Sequence, residues 1–217
     1  MAVKIAPSIL SADFMRMGDE ARSALDAGGD LLHVDVMDGH FVPNLTMGPD
    51  MVKGLRRSLP DAFLDVHLMI QYPGEFARAF VDAGADHLTF HAEVVTPDQA
   101  LALADLIRGL GASAGLALNP PTLAADWTQV IPEVDLLLVM SIFPGFSGQK
   151  FMPEVLPKVQ ELASVLRPDQ RLEMDGGLTV ETAPACRKAG CDVLAAASAV
   201  FGAPANKRAE IIGLLRG

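Results

Sequence analysis

A histidine and two aspartates interrupt the apolar segment at residues 31–39, which reads Leu-Leu-His-Val-Asp-Val-Met-Asp-Gly. Side chains alternate across a β-strand, so His33 and Asp35 point to one face while the leucine and valines between them point to the other. Neither polar side chain is buried cheaply without a partner, so the pair suits a metal ion or a proton-transfer site. A buried hydrogen bond between the two, which only orients a loop, is the alternative that this segment leaves open.

A second histidine lies in the same kind of context one segment later. Asp65, His67 and Met69 share one face of the next predicted strand. If the two strands are neighbours, His67 lies beside His33 and Asp35. Two imidazoles with one or two carboxylates form a site for Zn²⁺, Mn²⁺ or Fe²⁺ with an open coordination position. This convergence favours a metal site over a bare hydrogen bond.

Three loops carry small residues whose backbone N–H groups can bind a phosphate. They are residues 143–149, Gly176 with Gly177, and Ala197 with Ser198. Backbone amides can cradle a phosphate there without a cationic side chain, as in the frequent barrel site after strands seven and eight. Tight turns explain most single glycine pairs. The occurrence on three successive loops is what indicates a phosphate site.

These residues need a scaffold that brings them together, and the chain alternates between strand-like and amphipathic helical segments. We predict eight strands, at residues 3–9, 31–36, 63–69, 87–91, 114–118, 136–140, 171–174 and 193–196. We predict eight helices, at residues 13–27, 48–58, 73–83, 97–110, 123–130, 153–166, 180–189 and 207–215.

A weak internal repeat marks the joints between helix and strand. A glycine soon followed by aspartate recurs at Asp30, Asp86 and Asp192, and the spacings of 56 and 106 residues are close to two and four units of about 27. Regular alternation implies an all-parallel sheet, and the count of eight favours closure into a (β/α)8 TIM barrel, an α/β fold, over an open doubly wound sheet. We therefore predict one domain over residues 1–217.

In such a barrel the chemistry lies at the C-terminal ends of the strands. Besides the residues already named, these ends and the loops after them carry Ser8, His91, Glu93, Asn119, Met140, Ser141 and Asp175. All of them therefore point to one rim.

The composition narrows the classes of partner. The formal net charge of -10, with 27 acidic and 17 basic side chains, argues against a nucleic-acid or anionic-membrane surface, so an anionic substrate needs a local site. No apolar run reaches the length of a membrane span, and residues 1–9 lack the regions of a signal peptide. We expect a cytoplasmic protein that binds neither nucleic acid nor membrane.

The motifs resemble those of the ribulose-phosphate 3-epimerase family, (β/α)8 enzymes of the pentose phosphate and Calvin pathways. The resemblance covers nearly the whole chain and rests on residues 6–10, 33–44, 65–69, 91–93, 140–141, 144–149, 175–177 and 198–201. It implies a metal-dependent epimerase that interconverts D-ribulose 5-phosphate and D-xylulose 5-phosphate. It also implies one divalent metal ion per chain, with Zn²⁺ ahead of Mn²⁺ and Fe²⁺, and a homo-oligomer, either a dimer or a hexamer.

The resemblance assigns roles as well. It implies that Asp35 and Asp175 exchange the proton, and that the metal ligands are His33, Asp35, His67 and Asp175. The substrate contacts that it implies are Ser8, His67, Met69, Met140, Gly145, Phe146, Ser147, Gly148, Asp175, Gly176, Gly177, Ala197 and Ser198. Inverting a carbon beside a ketone needs an acid/base group on each face, which two carboxylates supply. Strand register favours Asp35 over Asp38 as the base, and Asp38 is expected to brace a ligand or the following loop.

Three positions depart from the family's pattern: Phe143, Ser147 and Ala197. Each lies on a loop expected near the phosphate, and two of them replace a glycine, so a side chain there can crowd the phosphate or displace the backbone. The metal and acid/base set is unchanged, which indicates intact proton chemistry with a changed affinity or preference. An epimerase of another ketose phosphate and a noncatalytic sugar-phosphate-binding barrel are the alternatives.

Overall fold

The structure is a computed structural model that describes residues 2–217, and its strands form one parallel sheet of eight. The strands are β1 Lys4–Pro7, β2 Leu32–Met37, β3 Leu64–Met69, β4 His87–His91, β5 Ser113–Leu118, β6 Leu136–Met140, β7 Arg171–Asp175 and β8 Val193–Ala196. Hydrogen-bonded neighbours follow in the order β1-β8-β7-β6-β5-β4-β3-β2. A parallel bridge between Ser8 and His33 joins the two end strands. This arrangement confirms the predicted (β/α)8 barrel.

The α-helices surround the sheet; seven of them match predicted segments, the short helix at Ser198–Phe201 was not predicted, and one predicted helix is absent. They are α1 Met17–Asp26, α2 Pro49–Ser58, α3 Pro73–Ala83, α4 Pro97–Leu110, α5 Leu156–Val165, α6 Ala183–Ala189, α7 Ser198–Phe201 and α8 Arg208–Arg216. The helix predicted at residues 123–130 is wrong, because that connection contains only the short 3-10 turns Ala124–Trp127 and Ile131–Glu133. Two β-branched residues, Thr128 and Val130, and the following Pro132 disfavour a longer helix there.

The two faces of each strand have different environments. On β2 the side chains of Leu32, Val34 and Val36 belong to the main apolar cluster between the sheet and the helices. His33 and Asp35 point to the inside of the barrel and are nearly completely buried. The alternation predicted for this strand therefore holds. Within residues 2–217, no helix has both the length and the apolar character that a membrane span requires.

A repeated aspartate hydrogen bond ties the strands in pairs at the N-terminal end of the barrel. Each of four aspartates lies just before an even-numbered strand and accepts the backbone N–H of a residue near the start of the preceding strand. The pairs are Asp30 with Ile5 at 2.8 Å, Asp86 with Leu64 at 2.7 Å, Asp135 with Ala114 at 2.8 Å and Asp192 with Leu172 at 2.9 Å. We call these four hydrogen bonds the aspartate clasps. Three of the four aspartates are those of the repeat seen in the sequence.

Candidate active site

Four side chains from three strands meet inside the C-terminal half of the barrel. They are His33 and Asp35 of β2, His67 of β3 and Asp175 at the end of β7, and their nearest nitrogen and oxygen atoms all lie within 4.8 Å of one another. The register of β2 and β3 places Asp35 beside His67. His67 Nδ1 is 3.0 Å from Asp35 Oδ1 and 3.8 Å from Asp175 Oδ2. We call this group the His/Asp cluster.

The His/Asp cluster has the donor atoms that a divalent cation needs. His33 Nε2 is buried and has no hydrogen-bond partner, and it lies 3.3 Å from Asp35 Oδ1. A buried ring nitrogen without a partner is costly unless it binds something. Two imidazoles and two carboxylates suit Zn²⁺, Mn²⁺ or Fe²⁺. The residues therefore fit the metal that the sequence predicts.

Two buried acids that the sequence reasoning gave no role lie beside the other nitrogen of His33, and Asp65 hydrogen-bonds it. His33 Nδ1 is 2.7 Å from Asp65 Oδ2 and 3.2 Å from Glu173 Oε1. A carboxylate that accepts the Nδ1 proton leaves the Nε2 lone pair directed at the cluster. Burial and the neighbouring charge of Asp65 raise the pKa of Glu173 to about 8, so Glu173 is a neutral acid near pH 7. Its signal in the sequence is a charge in the middle of a strand, two residues before Asp175.

The two candidate acid/base groups differ in their affinity for a proton. Burial alone would raise the pKa of Asp35, but the charge of His33, whose Nε2 lies 3.3 Å from Asp35 Oδ1, and the close approach of His67 Nδ1 lower this pKa well below its usual range. Ser8 Oγ also donates to Asp35 Oδ2 at 2.6 Å. Burial and the nearby charge of Asp35 raise the pKa of Asp175 to about 7. The geometry thus favours one ionised and one protonated carboxyl group in the same cluster.

Asp38, the third acid of the motif, faces away from the cluster. Its Oδ1 accepts the backbone N–H groups of His40 at 2.8 Å and Phe41 at 2.9 Å, and its Oδ2 accepts that of Gln71 at 2.7 Å. These bonds fix the loop after β2 against the end of β3. Asp38 therefore braces the loop, which is one of the two roles that the sequence suggests for it.

A cleft at the barrel mouth opens directly above the cluster, and most of the predicted substrate residues line it. Those residues are Met69, Met140, Gly145, Phe146, Ser147, Gly148, Asp175, Gly176, Gly177, Ala197 and Ser198. Ser8 and His67 lie below the cleft and are completely buried. Met37 and Leu10, which are not among the predicted substrate residues, also line it. The acids and the glycine loops therefore face one space.

The loops after β6 and β7 pack against each other through glycine. Gly176 has φ +115°, and a Cβ there would lie 2.4 Å from Ile142 Cγ1. Gly177 has φ +61°, and its Cβ would lie 2.6 Å from the backbone nitrogen of Phe151. Only glycine combines these backbone angles with such close approach. The two loops are therefore held together at the cleft.

None of the three departures from the family's pattern lies at a residue with positive φ. Within residues 2–217, every residue with positive φ is a glycine. Ala197 has φ −92° and ψ −88°, which lies outside the helical and extended regions. Phe143 is 55% exposed, so its ring lies at the surface of the loop. Displacement of the backbone and crowding of a phosphate both stay predictions.

Comparisons with known proteins agree with this geometry. The model of the Ribulose-phosphate 3 epimerase family matches residues 4–201. A curated ribulose-phosphate 3-epimerase of Bacillus subtilis (strain 168) is 45% identical over 211 residues, which cover 95% of this chain and 96% of that protein. The ribulose-phosphate 3-epimerase of Chlamydia muridarum is 43% identical over 220 residues and covers 99% of this chain and 95% of its own.

A solved structure supports the fold alone. The 3-keto-L-gulonate-6-phosphate decarboxylase from Vibrio cholerae superposes with a TM-score of 0.75 at 16% identity, and the match covers 100% of this chain and 96% of that one. At that identity the two proteins share the barrel, and the likeness carries no argument about the reaction.

Proposed function

Because the chain belongs to the ribulose-phosphate 3-epimerase family, we propose that it interconverts D-ribulose 5-phosphate and D-xylulose 5-phosphate by proton transfer at C3. The observation that carries this proposal is the pair of acids in the His/Asp cluster. Asp35 on β2 and Asp175 on β7 belong to one cluster below the cleft, and their pKa values are shifted in opposite directions. A base and an acid poised together are what an inversion requires.

The proposed inversion consists of two proton transfers that exchange the protonation states of Asp35 and Asp175. The ionised Asp35 takes the C3 proton from one face, and the electron pair of the broken C–H bond moves into the neighbouring carbonyl to form an enediolate. When Asp175 carries a proton, it delivers this proton to C3 from the other face. Asp35 ends protonated and Asp175 ends ionised, so the reverse reaction starts with the roles exchanged. The hydrogen bond from Ser8 Oγ holds Asp35 in place for its part.

We further propose that the His/Asp cluster holds one divalent metal ion. The four residues would bind it through His33 Nε2, His67 Nδ1 and one oxygen each of Asp35 and Asp175. A bound divalent cation supplies Lewis-acid stabilisation for negative charge that develops on the substrate oxygens.

The cleft walls suit a phosphorylated ketose. Met37, Met69 and Met140 present an apolar, polarisable surface beside the acids, which excludes water from C3. The glycine loops at residues 145–148 and 176–177 offer backbone amides for the phosphate. The proposed partner is therefore one small phosphorylated ketose.

Exchange with D₂O tests the two-acid assignment. Each Asp→Asn change keeps an oxygen ligand but removes one acid/base group. We expect Asp175→Asn to lose epimerisation but still to exchange the C3 proton of the epimer whose proton faces Asp35. We expect Asp35→Asn to exchange the C3 proton of the other epimer. NMR of both ketose phosphates in D₂O measures exchange and inversion separately. Asp61→Asn makes the same change at an exposed site and serves as the control.

Metal content must be measured on the same samples, because a lost ligand would mimic lost proton transfer. The parent chain should carry close to one divalent ion, and chelation should abolish turnover until metal returns. A variant that keeps its metal and still epimerises near the parental rate would show that the two-aspartate assignment is wrong. Full activity in metal-depleted parent protein would remove the metal from the proposal.

A further inference from the structure

A second histidine and a carboxylate stand behind His67. His67 Nε2 is 2.8 Å from His91 Nε2, and His91 Nδ1 is 2.9 Å from Glu93 Oε2. Both imidazole rings are completely buried, and their planes are inclined by 25° with centroids 4.9 Å apart. A continuous hydrogen-bonded line therefore runs from the His/Asp cluster to the loop after β4. We call it the His91–Glu93 line.

The positions of the protons along this line follow from its geometry. Two ring nitrogens 2.8 Å apart can share only one proton. If His67 uses its Nδ1 lone pair to bind a metal, its own proton is on Nε2, and His91 Nε2 must accept it. The proton of His91 is then on Nδ1, where the carboxylate of Glu93 accepts it. The opposite arrangement would place the lone pair of His91 Nδ1 against a carboxylate oxygen, which is unfavourable.

We propose that Glu93, acting through His91, holds His67 in the tautomer whose Nδ1 lone pair faces the His/Asp cluster. His91 and Glu93 are thus positioning residues for a metal ligand that lies two side chains away. The proposal rests on the proposed function insofar as that function makes His67 a ligand. It adds two residues and a direction of proton donation that the donor set itself does not specify.

The loop after β5 fixes the orientation of Glu93. Glu93 Oε1 accepts the backbone N–H of Asn119 at 2.9 Å and the hydroxyl of Thr122. Lys158 Nζ in turn donates to the carbonyl of Asn119 at 2.7 Å. Burial alone would raise the pKa of Glu93, but hydrogen bonds from His91, Thr122 and Asn119 lower it. One carboxylate oxygen is therefore committed to the loop and the other to His91.

Because the two oxygens of Glu93 have different partners, Glu93→Gln tests the role of the oxygen that contacts His91. The two loop donors should keep the amide oxygen of the new glutamine at the Oε1 position, so its NH₂ group meets His91 Nδ1. Because an NH₂ group can only donate, His91 Nδ1 must accept a hydrogen bond from it and can no longer carry its proton. The favoured tautomers then reverse along the line, and a proton occupies His67 Nδ1. We expect the dissociation constant for Zn²⁺ to rise about 10- to 100-fold.

Thr122→Val is the matched control. It removes a donor from the other oxygen of Glu93 and leaves the bond to His91 in place. Zn²⁺ affinity measured by competition with a chelating dye should change less than about threefold in this variant, since its ligand tautomer is intact. Equal Zn²⁺ affinity in Glu93→Gln and the parent, or an equal loss in both variants, would overturn the proposal.

A spectroscopic measurement on the parent stands independently of the variants and of catalysis. ¹⁵N NMR of the Zn²⁺-loaded protein should show His91 protonated on Nδ1 and unprotonated on Nε2. A proton on His91 Nε2 would contradict the proposal even if Glu93→Gln failed to fold, and so would a parent chain that does not bind Zn²⁺. Turnover of the ketose phosphate on the same samples reports separately on the proposed function, so the two failures are distinguishable.

Discussion

Metal affinity should rise with pH if the His/Asp cluster binds a divalent cation. Burial and the charge of Asp35 raise the pKa of Asp175 to about 7, so at pH 6 this carboxyl group carries a proton. A cation must displace that proton before Asp175 can bind it. Asp175 is mostly protonated below pH 7 and mostly ionised above it, so the affinity for the cation must increase from pH 6 to pH 8.

The size of the effect follows from the titration of this one group. At pH 6 about a tenth of Asp175 is ionised and at pH 8 about nine tenths, so Asp175 alone should lower the dissociation constant about tenfold, or about 1.4 kcal/mol. His33 acts in the same direction. Burial lowers the pKa of His33, but the charges of Asp35 and Asp65 raise it well above its usual range, and a second proton then leaves on binding. A tenfold change is therefore the lower bound.

Titration calorimetry with Mn²⁺ at pH 6, 7 and 8 measures this directly. Repeating each titration in buffers of different ionisation enthalpy counts the protons released. Asp175→Asn lacks the titrating carboxyl group, so its affinity should be weaker and its dependence on pH shallower by about one proton. A parent dissociation constant that is equal at pH 6 and pH 8, with no proton release, would refute the reasoning about the cluster.

Two further predictions concern the phosphate side of the cleft. Ala197→Gly should lower KM for D-ribulose 5-phosphate more than it changes kcat if the methyl group crowds the phosphate, and steady-state kinetics that show an unchanged or higher KM would mean that the alanine is accommodated. Gly176→Ala should lower the free energy of unfolding by about 1–3 kcal/mol, because its Cβ would lie 2.4 Å from Ile142 Cγ1 at a φ of +115°; urea denaturation measures this loss, and a variant as stable as the parent would show that the loops can separate at no cost.

The sequence predicted the strands closely because their cause is local. Alternation of apolar and polar side chains specifies a strand and its two faces, and it correctly directed His33 and Asp35 inward. The roles of Asp65 and Glu173 were missed because they depend on how the strands are staggered: Asp65 lies beside His33 only in the register of β2 and β3, and Glu173 of β7 meets His33 across the barrel interior. That stagger is set by closure of the whole sheet and has no local signal.

The internal repeat shows the same limit. The sequence revealed it at Asp30, Asp86 and Asp192 but not at Asp135, although all four aspartates make the same hydrogen bond. In the first three the glycine is present because an α-helix ends there; Gly84 caps α3 with φ +108°. The connection before Asp135 contains 3-10 turns, so it needs no left-handed glycine. The glycine that made the repeat recognisable in the sequence is therefore a helix cap. The feature common to all four sites is the hydrogen bond of the aspartate.

The aspartate clasps stabilise the native register of the strands that they join. Side chains alternate along a strand, so a slip of one residue between paired strands would turn the inner face outward. Each clasp joins one specific aspartate to one specific backbone N–H, and a slipped pair would lose that bond and leave the N–H unsatisfied. The β1–β2 and β7–β8 pairs contain His33 and Asp175, which reach the cluster only in the native alignment. Four hydrogen bonds at the N-terminal end of the barrel thus favour the strand register that brings the cluster residues together at its C-terminal end.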